Sequence, residues 1–222
     1  MMGQRRPNRG GWNAYLGASG DHPMRIYHEF RGKSAIYIMV DENGNSALSE
    51  KAAKVCVDSF LRRPSVKPVA LETICGFVND AVLSGRGPSP QFTFAASIFM
   101  IHGTNMAWAI SGNSAVMLFS DGKLERYAVG EPYPCFGSSP TYKPDIQQAF
   151  QPVRGEKALF LCSGRLLKTI RTGSVEKALQ QSNGPKDWNE RVKALSPSTQ
   201  FNSLAAWIPS PSRGMMEALM NH

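Results

Sequence analysis

No two cysteines in this 222-residue chain are spaced C-x-x-C, no Gly-x-Ser-x-Gly elbow occurs, and no uninterrupted apolar run reaches membrane-spanning length. Each absence excludes a class. Cys56, Cys75, Cys135 and Cys162 lack the spacing of a zinc cluster or redox pair. At least Cys56, Cys75 and Cys162 sit among apolar neighbours, so the thiols read as reduced core residues of a cytoplasmic protein. A transmembrane helix needs about 20 apolar residues in succession, and none is found. The early arginines are followed by no apolar segment, which argues against a secretory signal. Nucleophilic hydrolase chemistry has no motif to stand on. Gly85-Arg86-Gly87 lacks the Lys-Ser/Thr that follows in a phosphate-cradling loop. His22, His28, His102 and His222 follow no metal-ligand spacing.

What is present describes an ordinary globular chain: 42% hydrophobic and 19% charged residues. The 25 Lys and Arg against 17 Asp and Glu give a net charge of +8, a balance that suits phosphate-bearing partners. The positive residues are scattered, and only Arg5, Arg6 and Arg9 cluster. A basic nucleic-acid-binding domain is therefore the second alternative, since no basic helix or aromatic-interleaved basic strand accompanies the charge. The organisation expected is a basic N-terminal segment at 1–11, one domain at 12–209, and a tail or short helix at 210–222 carrying Met215, Met216 and Met220.

Periodicity supplies the elements. Strands are predicted at Trp12 to Ala18, Met24 to Phe30 and Ala35 to Val40, the last almost wholly apolar and ending on Asp41. Leu48, Ala52, Val55, Cys56 and Phe60 make one stripe of a helix over Ala47 to Leu61. Leu71, Ile74, Val78 and Val82 make a second, starting near Pro68. Phe92 to Ile101, Met106 to Ser111, Ala115 to Phe119 and Leu124 to Val129 then read as an antiparallel meander. Five prolines between 130 and 152 predict a long loop with one helical turn near Ile146 to Phe150. Ala158 to Cys162 and Phe201 to Ile208 are further strands, with short helices at Leu166 to Ile170, Val175 to Gln181 and Trp188 to Leu195. This order argues for an α+β fold of antiparallel sheets with helices outside.

Five local patterns occur in an informative order: Arg5-Arg6-Pro7-Asn8-Arg9-Gly10, Val40-Asp41-Glu42-Asn43-Gly44, Gly112-Asn113-Ser114-Ala115, Cys162-Ser163-Gly164 and Phe201-Asn202-Ser203. Together they resemble the metal-dependent serine/threonine protein phosphatases of type 2C (PPM), over roughly residues 5–208. The resemblance implies a four-layer α-β-β-α sandwich, two antiparallel sheets flanked by helix pairs. It also implies a site where aspartates hold two metal ions that activate a water. On this register Asp41 keeps its carboxylate. Gly10, Asn113, Ser163 and Phe201 stand where the family has metal-binding aspartates. Arg5 matches the phosphate-binding arginine, and Asn43 replaces the histidine that acts as acid. Ser120-Asp121-Gly122 lies between two strands and reads as a plain hairpin turn rather than the family's Ser-Asp-Gly.

Divalent cations need several anionic oxygens, and one carboxylate does not support a pair of them. The resemblance with its departures thus implies a degenerate member: a pseudophosphatase without cofactor that regulates or scaffolds by binding a kinase, a phosphoprotein or an assembly subunit. The alternative is a divergent active enzyme, with Mn or Mg held by Asp41 and ligands drawn from Glu42 and Asp145. Oligomeric state stays open.

Overall fold

Strands 105–111, 114–120, 157–163 and 203–208 are apolar at every central position, and that two-sided character sets the layering. The computed structural model describes residues 13–17, 25–31, 34–43, 46–85, 93–103, 105–149, 157–196 and 203–208. One sheet contains β2 (Arg25–Arg31), β3 (Ser34–Asn43), β4 (Thr93–His102), β5 (Asn105–Ser111) and β8 (Asp145–Ala149), in the order β2-β3-β4-β5-β8. The other contains β1 (Asn13–Gly17), β6 (Ser114–Ser120), β7 (Lys123–Val129), β9 (Lys157–Ser163) and β10 (Ser203–Ile208), in the order β1-β10-β9-β6-β7. All pairings among these strands are antiparallel.

Alternate residues of one strand serve different cores. Ile36, Ile38 and Val40 of β3 pack toward α1 (Ser46–Arg62) and α2 (Pro68–Gly85), while Ala35, Tyr37 and Met39 face the second sheet. In β6, Val116 and Leu118 face the inter-sheet core; Ala115, Met117 and Phe119 face α4 (Thr172–Gln180) and α5 (Pro185–Leu195). The result is four layers, with one apolar core between the sheets and one beneath each helix layer. Trp188 of α5 anchors the last of these, its indole N–H donating to the Val175 carbonyl at 3.0 Å.

Four sequence expectations are corrected. The tract from β4 to β7 is not a meander: the chain leaves one sheet after β5 and enters the other at β6. Gly112, with φ +67°, lies in the crossing. Residues 145–149 are neither loop nor helix but the edge strand β8, paired with β5, a place where Pro144 at the strand's entry costs no ladder bond. Strand β3 does not end on Asp41, because β4 continues alongside and pairs Asp41, Glu42 and Asn43 with Ala95, Phe94 and Thr93. The helix expected over Leu166 to Ile170 is instead α3 (Gly164–Leu167). Among the described residues no helix is long and apolar enough to cross a membrane.

Candidate functional site

The mouth of the sandwich is where β5 hands the chain to β6, and its geometry is fixed by the lack of a side chain on Gly112. A Cβ there would stand 2.8 Å from Ala95 Cβ and 3.0 Å from Cys135 Cβ. Ala95 is the cross-strand partner of Asp41, so the backbone of Asp41 lies two strand spacings from β5 at the same end of the sheet. The next residue, Asn113, accepts a hydrogen bond from the Gly164 N–H on its carbonyl at 2.8 Å. Its side-chain amide lies over the Gly164 Cα, where a Cβ would overlap Oδ1. Ser163, fully buried, ends β9 in register with Ser114. The structure therefore brings Asn113 and Ser163 side by side and places residues 41–43 at the same end.

The remaining predicted positions are not all within view. Arg5, Gly10 and Phe201 lie outside the described residues, as do the side chains of Asp41, Glu42 and Asn43. Strand β10 begins at Ser203 opposite Cys162, and its hydroxyl donates to Asn189 Oδ1 at 2.6 Å. Asp145, weighed as a replacement ligand, is corrected. It lies on β8 opposite Ile110 of β5, three strand spacings from β3, or at least about 14 Å from Asp41 across the sheet, too far to share one cation with it. Ser120-Asp121-Gly122 forms a hairpin turn with φ of 49° at Asp121 and 76° at Gly122, the left-handed pair of a type I′ turn. Among the described residues, no group of three His, Cys, Asp or Glu is arranged to hold a metal ion.

Sequence reasoning missed the polar buttress of this mouth. Ser111 Oγ accepts from the Phe136 N–H at 2.9 Å and from the Tyr142 hydroxyl at 3.1 Å, fastening loop 130–144 to the crossing. Ser97 Oγ donates to the Ala115 carbonyl at 3.1 Å, tying the two sheets together. Asn79 of α2 accepts from the Gly137 N–H at 2.8 Å and donates to the Ser139 carbonyl at 3.0 Å. The available signal was small polar residues inside otherwise apolar strands, which are buried only when hydrogen-bonded. Burial pushes the thiols of Cys135 and Cys162 and the phenol of Tyr142 upward, so all three stay protonated and neutral. Arg165, one residue beyond Gly164 and half-buried, forms no ion pair among the described residues.

At the level of sequence, no protein-family model and no curated protein matches. Solved structures do. The chain is similar to a serine/threonine phosphatase of S. agalactiae, with 12% identity, TM-score 0.69, and coverage of 89% of this chain and 98% of that one. It is similar to the catalytic domain of the serine/threonine protein phosphatase PstP in complex with two manganese ions, with 14% identity, TM-score 0.65, and coverage of 89% and 96%. It is also similar to PppA, a key regulatory component of T6SS in Pseudomonas aeruginosa, with 16% identity, TM-score 0.66, and coverage of 88% and 96%. Two antiparallel five-stranded sheets between helical layers, matched over nearly nine-tenths of the chain, make this the fold of the PPM-type serine/threonine phosphatases.

Proposed function

We propose that the chain is a pseudophosphatase, a cytoplasmic regulatory or scaffolding protein that uses a phosphatase fold to bind a protein partner. The observation that carries this reading is the pair at the mouth. Asn113 and Ser163 offer a neutral amide and a neutral hydroxyl at two adjacent positions where the fold's enzymes are expected to supply carboxylates, and the amide is packed over Gly164. These residues do not fit a pair of divalent cations, whose mutual repulsion needs anionic oxygens to offset it. Asn43, at the position of the family's histidine acid, offers an amide, which does not transfer protons near neutral pH. Arg165 follows Gly164 in the chain and is in no ion pair among the described residues; a guanidinium can hold a phosphorylated side chain without metal. The similarity to PppA, a regulatory component, agrees with a regulatory role.

The test is hydrolysis of a phosphothreonine peptide with manganese or magnesium in excess. The expected result is no turnover above buffer, unchanged by Asp41→Ala. Metal-dependent release of phosphate that Asp41→Ala abolishes would contradict it and favour the second reading, a divergent active phosphatase built around the retained Asp41.

A further inference from the structure

The outer face of α2 sets two large apolar side chains among acidic and small residues. Val69 is 74% exposed and Phe77 51% exposed, and with Thr73 and Gly76 they follow one another at helical spacing on the side turned away from the sheet. Beside them, α2 and residues 140–144 enclose a cleft of about 160 Å³. Glu72, Gly76 and Asp80 form its helical wall, one turn apart, and Pro140, Tyr142, Lys143 and Pro144 face them, so an entering cation must displace Lys143. A Cβ added at Gly76 would meet nothing within 4 Å, so the glycine leaves a notch open to solvent.

This cleft is built on fixed parts. Asn79, on the same helix, holds Gly137 and Ser139 by two hydrogen bonds, and Tyr142 is held through its hydroxyl by Ser111. The charge is also particular: α2 carries Glu72 and Asp80 and no basic residue, in a chain whose net charge is +8. Asp80 is in no ion pair among the described residues, and Glu72 meets only Lys143, at 4.0 Å between two exposed side chains, a contact that contributes little and is easily displaced.

We infer that this face docks a protein segment that presents arginine or lysine among leucine-like residues. The cation enters the cleft between Glu72 and Asp80 with its aliphatic stem along Tyr142 and the prolines, and the apolar residues cover Val69 and Phe77. Charge complementarity selects the partner, because Glu72 and Asp80 attract a cation while the net charge of +8 disfavours a basic segment on the molecule as a whole. An active and an inactive phosphatase would carry the same face, whatever happens at the sheet mouth.

Fluorescence anisotropy with the full chain and a fluorescein-labelled leucine/arginine peptide tests it, against a twin peptide with glutamate for arginine. The expected result is binding of the arginine peptide alone, weakened at least about tenfold by joint Glu72→Lys and Asp80→Lys and by Gly76→Leu. Gly76→Leu fills the notch and removes a helix-weakening glycine, so its melting temperature should be unchanged or higher, which separates lost binding from lost folding. Preference for the glutamate twin, or affinity unmoved by these variants, would overturn the proposal. So would sedimentation showing that Val69 and Phe77 pair two copies of this chain, with Phe77→Arg dissociating them.

Discussion

Gly112 and Gly164 are the points where the chain can least tolerate a side chain. At Gly112 the positive φ and the contacts with Ala95 and Cys135 act together, so Gly112→Ala should cost at least about 2 kcal/mol in urea unfolding. At Gly164 the obstacle is one side chain, the Asn113 amide. Gly164→Ala should therefore destabilise by about 1–3 kcal/mol alone and by much less in an Asn113→Ala background, a coupling that a double-mutant cycle reads directly. The sequence marks Gly112-Asn113-Ser114 as a turn, but nothing in it says that the amide of one turn folds over the glycine of another strand's end, because that contact spans some fifty residues. The thiols were easier to read. All four cysteines are buried and free, and burial pushes Cys75 up to about 12. The native chain should resist alkylation by iodoacetamide at neutral pH and react at four sites once unfolded.

At the scale of elements, legibility followed burial. Strand β3 and helices α1 and α2 announced themselves because continuous apolar runs and 3.6-residue stripes have few other uses. Strand β8 did not: Gln147 and Gln148 break its apolar pattern and prolines precede it, so only the vacant edge of β5 defines it. The sheet crossing was equally hidden, since Gly103-Thr104-Asn105 and Gly112-Asn113-Ser114 are both a glycine followed by small polar residues, and packing decides which one changes sheet. Two predictions belong here. Asn79→Ala would remove the hydrogen bonds to the Gly137 N–H and the Ser139 carbonyl, costing about 2 kcal/mol and speeding amide exchange at residue 137. The second concerns acid. The Asp187 carboxylate accepts from the Asn183 N–H and from Arg191 Nε, each at 2.9 Å, which holds its pKa below the ordinary aspartate value. A lowered folded-state pKa gives stability that is complete above the ordinary value and is lost as pH falls through the lowered one. The stability gap between the native chain and Asp187→Asn should be present at neutral pH and vanish in strong acid, as a urea series across pH would record.

For the whole molecule, the layered pattern survives at 12–16% identity to its structural neighbours because each layer asks only for apolar residues at alternating positions. Chemistry asks for more, namely particular charges at particular mouths. That is why one fold can host metal enzymes in some chains and, with Asn113 and Ser163 at the mouth, the binding protein proposed for this one. The direct test is calorimetric titration of the intact protein with manganese at neutral pH. A pseudophosphatase should give no heat beyond dilution at millimolar metal and no rise in melting temperature. Saturable uptake of two ions per chain, lost on Asp41→Ala, would contradict it.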